Sequence, residues 1–148
     1  MEPILKIVTT MCVGMMIGTE FAVSAFINPI LVQLDDSARA QATRLFARKL
    51  GTVMPFWYGL CFLLLIAEAI TAPRSQMLYL AAAILIWALV IVFTLLFLVP
   101  INNRIARMES HELTGPLHRD HQKWDTLHRW RVLALCVAMV CMLIGSRV

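Results

Sequence analysis

The chain has 148 residues, 60% of them hydrophobic and only 15% charged, with a formal net charge of +4. Average soluble domains are roughly a quarter charged, so this composition, with a mean hydropathy of +0.77, excludes an ordinary soluble domain and leaves room for one membrane domain. The basic surplus is not interleaved with aromatics on a helix face, which argues against a nucleic-acid partner.

The first apolar run covers residues 7–34, longer than the roughly 20 residues a bilayer requires. It exceeds a signal-peptide core and carries Glu20, Asn28 and Pro29, so it reads as a retained helix. Gly14 and Gly18 lie four apart and mark a face for close helix approach. Asp35, Asp36 and Ser37 break the run and resemble a helix N-cap. Residues 38–50 set Leu45 and Phe46 against Arg44, Arg48 and Lys49, which predicts an amphipathic interfacial helix on lipid headgroups.

The second span is expected over 52–71, with Pro55 in its first turn and Trp57 and Tyr58 in the interfacial belt. A short turn at 71–75 precedes the third span, 77–99, which carries no charge and is expected to close at Pro100. Asn102 and Asn103 then terminate the helix, and 104–115 read as a loop or frayed helix. Thr114, Gly115 and Pro116 signal a new helix start. That helix continues to about residue 144, but only 127–145 suit lipid, so its first turns should project from the membrane.

The expected architecture is therefore all-α: a single four-helix transmembrane bundle. The loops after spans one and three, with the start of helix four, hold ten of the Lys and Arg residues, and the opposite side holds three. This bias places both termini outside the cytoplasm, in the bacterial inner membrane or another cell membrane. Cys12, Cys61, Cys136 and Cys141 each lie inside an apolar run without a CxxC, which favours helix packing over a disulfide framework or a zinc knuckle.

Polar residues inside the spans carry the functional signal. An ionisable side chain at mid-span costs roughly 2.5–3.5 kcal/mol on insertion scales, so Glu20 requires a partner or a role; left alone, burial favours a neutral acid. Glu68 lies nearer its span's end and can reach the interface. Glu20, Ser24 and Asn28 are spaced by four and form a stripe toward the bundle interior, either helix glue or a pocket wall. On helix four, His118, His121, Asp125 and His128 share a face bordered by Trp124 and Arg131. One ion cannot contact ligands spread over about 15 Å of helix, which disfavours a metal centre. His128 at the membrane boundary can exchange protons near neutral pH.

Four motifs in order resemble the anthrone oxygenase family of small four-helix membrane proteins. They are Gly18-Thr19-Glu20-Phe21 with Phe26-Ile27-Asn28-Pro29; Gly51-Thr52-Val53-Met54-Pro55-Phe56-Trp57; Val99-Pro100-Ile101-Asn102-Asn103-Arg104-Ile105; and Trp124 through Arg131, read as W-x3-H-x2-R. The resemblance implies oxidation of an anthrone to an anthraquinone by O2 without metal or organic cofactor. It assigns His128 or Glu20 as base, His128 being preferred on its ordinary titration range. Arg131, Asn102 and Asn103 become anion stabilisers, Asn28 a pocket residue, and Trp57 and Trp124 stacking surfaces for a flat polycycle. Two other readings stand beside this one: a non-enzymatic transport or accessory protein, and a heme or metal redox protein using the helix-four histidines. Substrate identity and homo-oligomerisation stay open.

Overall fold

A computed structural model describes residues 2–107 and 115–146, with side chains over 3–107 and 119–146. Among the described residues there is no strand, and four helices are long and apolar enough to cross a membrane. The protein is an integral membrane bundle.

Helix α1 runs through Glu2–Ala22, a π turn at Val23–Ile27, and Asn28–Gln33. Two residues connect it to α2, Asp36–Thr71. Asp35 is the N-cap there: its carboxylate accepts from the Ala38 N–H at 3.0 Å, satisfying one of the free donors of the first turn. Helix α3 runs through Met77–Phe93, a second π turn at Thr94–Leu98, and Val99–Arg107. Helix α4 is Gly115–Gly145.

Several boundaries differ from expectation. The stretches 38–50 and 52–71 are one unbroken helix, so Pro55 lies inside α2, not in a first turn. Helix α3 continues past Pro100 to Arg107, which places Asn102 and Asn103 within a helix and not at its end. Residues 104–107 of the expected loop are therefore helical, and 108–114 lie outside the described residues. The two π turns account for the prolines. A proline cannot donate to the carbonyl four residues back, and its ring clashes with it. In α1 the Asn28 N–H instead reaches back five residues to Val23, and in α3 Val99 does the same to Thr94, immediately before Pro29 and Pro100. One residue is absorbed in each turn and the helix proceeds.

The core fills the middle of the bundle with Met16, Leu65, Leu80, Trp87, Leu135 and Met142, each essentially inaccessible. Close approach uses small residues: a β-carbon on Gly14 would meet Met139 at 3.6 Å. Gly18 has open space at that position and is exposed, so of the expected glycine pair only Gly14 packs against a helix. Cys12 and Cys61 stand 3.6 Å apart, sulfur to sulfur, as packed thiols between α1 and α2. At the end bearing the α2–α3 turn, Glu68 is buried and accepts from the Ser146 hydroxyl at 3.2 Å, and so does not extend to the interface. Lys6 donates to Gln76 at 3.2 Å beside it. The outer surface is apolar, with Phe56 78% and Ile70 79% exposed, as a lipid-facing surface requires.

Candidate functional site

Glu20 sits on α1 one turn before the π turn and is 2% exposed. It does not stay unpaired. The Tyr58 hydroxyl of α2 donates to its Oε1 at 3.0 Å, and Arg131 Nη2 of α4 donates to its Oε2 at 2.5 Å. The buried carboxyl thus faces Arg131 as half of an ion pair. The partner that a mid-span acid requires arrives from a helix 111 positions later.

His128 has no exposed surface and lies three residues before Arg131 on the same face. Its Nε2 is 3.0 Å from the backbone carbonyl of Glu20, an acceptor only, so Nε2 carries the proton. Arg131 Nη2 lies 2.8 Å from Nδ1 and can only donate, so Nδ1 accepts. Both ring nitrogens are thus occupied, and Nδ1 also lies 3.2 Å from Glu20 Oε2. Trp124 stacks on the ring at 4.6 Å and 11°. Arg131 also lies over the Tyr58 ring, 5.5 Å from its centroid. Tyr58 is itself fixed, since the Trp87 indole donates to its carbonyl at 3.2 Å.

This cluster forms one wall of a cavity of about 270 Å³. Glu20, Asn102, Asn103, Trp124, His128 and Arg131 all line it. The remaining lining is mostly apolar and comes from α1, α2 and α3, so all four helices contribute to the cavity. Asn28 lies elsewhere: with Trp124, Asn102 and His121 it lines a smaller neighbouring cavity of about 40 Å³, and its amide donates to Asp125 at 2.6 Å. Ser24 is half-buried and lines neither cavity. Eight residues of α-helix overshoot two turns by about 80°; the residue absorbed in the π turn turns Asn28 back toward the azimuth of Glu20, so both are buried. Trp57 packs against the core and lines neither cavity. Asp125 also holds Arg129 at 3.0 Å, and Arg104 grips Asp120 with two bonds at 2.9 and 3.1 Å. The helix-four stripe is therefore divided: Asp125 serves helix tying, His121 the smaller cavity, His128 the larger. The side chain of His118 lies outside the described residues. Among the described residues, no group of three or more His, Cys, Asp or Glu is arranged to hold a metal ion.

Asn102 has a positional role as well. Its Nδ2 donates to the Ala47 carbonyl at 3.0 Å, tying α3 to α2. A β-carbon on Gly51 would lie 2.7 Å from that nitrogen, so the glycine admits the bond.

Two buried polar atoms on the cavity have no hydrogen-bond partner among the described residues: Arg131 Nε and Thr94 Oγ1. The threonine stands out because Thr9, Thr19, Thr52, Thr71 and Thr126 bond back to their own helices, the ordinary fate of a helical threonine. Sequence reading passed over Thr94 and took Tyr58 as an interfacial residue. The available signal was a single threonine in the least polar span, six residues before a proline.

A family model described as Anthrone oxygenase matches residues 42–141. The match includes Tyr58, Thr94, Asn102, Trp124, His128 and Arg131, and stops short of Glu20. No curated protein and no solved structure matches the chain.

Proposed function

The chain belongs to the anthrone oxygenase family, and from that premise we propose that it oxidises an anthrone-like, lipophilic aromatic substrate with O2, without a cofactor, in the larger cavity. The observation that carries this reading is Glu20: a carboxylate buried in a membrane bundle, facing a largely apolar cavity and held by Arg131 and Tyr58. A buried ion pair is no asset to stability as such; the carboxylate lone pairs that Tyr58 and Arg131 leave free can take a proton from a substrate seated beside them.

The substrate needs no metal to react. Loss of a proton from the ring methylene gives an extended phenolate, electron-rich enough to reduce O2. Glu20 takes that proton. The Nε–H of Arg131 donates to the phenolate oxygen, where the negative charge accumulates. One electron passes to O2 and the two radicals join, forming the carbon–oxygen bond; the proton from Glu20 completes a hydroperoxide. Glu20 then removes the second proton from the same carbon, the O–O bond breaks, and the departing oxygen leaves as water. The balance is CH2 plus O2 to C=O plus H2O.

In this scheme His128 positions Arg131 and the Glu20 backbone. Trp124 offers a stacking surface, and Asn102 and Asn103 edge the cavity. Asn28 supports Trp124 and Asp125 from the neighbouring cavity, and Trp57 supports the α2 wall. The basic opening turns of α2 and α4 lie at the headgroups, since α2 is 36 residues and α4 31, and about 20 suffice for the hydrocarbon.

The test is turnover in lipid nanodiscs, followed by O2 uptake and quinone absorbance with an anthrone. The wild-type protein should exceed the spontaneous aerobic rate, and Glu20→Gln should lose about 10²–10⁴ of the enzymatic rate while eluting as a folded protein. A wild-type rate equal to the spontaneous one would overturn the proposal.

A further inference from the structure

The cavity is not closed on all sides, and its open side is defined. From α1 and α4 every lining residue is buried or half-buried: Glu20, Val23, Trp124, His128 and Arg131. The exposed lining residues are Gly51 and Pro55 on α2 and Leu95 and Asn103 on α3. The mouth is therefore a slit between α2 and α3, with Asn103 at the basic end and Leu95, 59% exposed, deeper in the span.

Local sequence explains the gap. Asn102 pins α3 to α2 at Ala47, and the helices pack again where Tyr58 meets Trp87. Between these ties α2 presents Gly51 and Pro55, and Gly59 follows Tyr58 directly; all three line the cavity and contribute little side chain. Opposite them α3 is in its π turn, which displaces its backbone from the regular helical path. The chains flanking the slit are exposed and apolar: Phe56 and Leu60 on α2, Leu95 and Leu96 on α3. In a bundle with four spanning helices such a surface faces acyl chains.

We infer that the cavity is loaded sideways from the bilayer through this slit, and that Gly59 sets the size of what passes. The ligand class is a flat, uncharged aromatic dissolved in the hydrocarbon. Gly59 lines the cavity, and a β-carbon built on it meets nothing within 4 Å. A side chain there would enter the passage without displacing the fold. This inference rests on the proposed reading of the cavity as a binding site, and its test does not use turnover, so the two can fail separately.

Thr94→Cys, in a protein whose four native cysteines are changed to alanine, places one thiol inside the cavity. The probes are N-phenylmaleimide, flat and uncharged, and its ring-sulfonated counterpart, applied to both faces of reconstituted vesicles. The uncharged probe should react about a hundredfold faster, as an insertion penalty near 3 kcal/mol for a charge implies. Adding Gly59→Leu should slow the uncharged probe about tenfold, the effect of roughly 1.4 kcal/mol of added barrier. Gly18→Leu is the control, since Gly18 also has open space at its β-position but lines neither cavity; it should leave the rate unchanged. Equal reactivity of the two probes would show an aqueous entrance and overturn the inference. So would an unreactive thiol, the result if a second copy covered the slit, or a Gly59→Leu rate equal to that of the Gly18→Leu control.

Discussion

The His128 imidazole donates from Nε2 to the backbone carbonyl of Glu20 at 3.0 Å, joining α4 to α1 beside the cavity. With Nδ1 accepting from Arg131 at 2.8 Å, the ring has no nitrogen left for a substrate proton. His128→Gln keeps one donor and one acceptor on a side chain of similar reach. It should therefore lose less than about tenfold in turnover, the scale of one imperfect hydrogen bond, and far less than Glu20→Gln. Parallel rates in nanodiscs check this; a His128→Gln loss equal to that of Glu20→Gln would return the base to the imidazole.

Arg131 neutralises a buried carboxylate, and removing one partner of such a pair is the costly change. Arg131→Met should destabilise the bundle by about 3–5 kcal/mol, read by thermal unfolding in detergent. Adding Glu20→Gln should recover most of that loss without recovering activity. If the double variant is no more stable than Arg131→Met, the ion pair is not what the arginine supplies.

Gly51 and Asn102 should be energetically coupled. Gly51→Ala forces the asparagine off the Ala47 carbonyl and is expected to cost about 1–3 kcal/mol, as overpacking does. In an Asn102→Ala background the added methyl should cost much less. A double-mutant cycle measures the difference, and additive effects would separate the two residues.

Thr94→Val removes the unpartnered hydroxyl at nearly constant shape. Stability should hold or rise by about 1 kcal/mol, because a buried unsatisfied polar group is lost. If the hydroxyl binds substrate oxygen, KM rises with little change in kcat. Unchanged kinetics would make Thr94 a lining atom only.

The basic residues cluster at the end where α1 and α3 finish and α2 and α4 begin, and we propose from this charge bias that this end faces the cytoplasm. Reporter fusions at each terminus should both be active outside the cytoplasm; a cytoplasmic signal from either end would invert the orientation.

The four spans, the Asp35 cap and the need of Glu20 for a partner were legible in the sequence, whereas His128, expected at the membrane boundary, is fully buried. Each legible feature follows from a local property: apolar length against bilayer thickness, a side chain next to its own backbone, or a charge where lipid penalises one. Pairing was not legible. Whether Glu20 meets Tyr58 and Arg131, why Asn28 faces Asp125 while Asn102 faces Ala47, and why Trp124 and not Trp57 lines the cavity all depend on how each helix is rotated about its axis. Two π turns reset that rotation, and only Pro29 and Pro100 hint at them. Hydropathy is summed along one chain segment, whereas a hydrogen bond at 2.5–3.0 Å needs the azimuths of two helices at once. Hydropathy along each segment therefore determined which helices cross the membrane, and the tertiary packing decided that Glu20 would meet Tyr58 and Arg131 and that His128 would meet the Glu20 carbonyl.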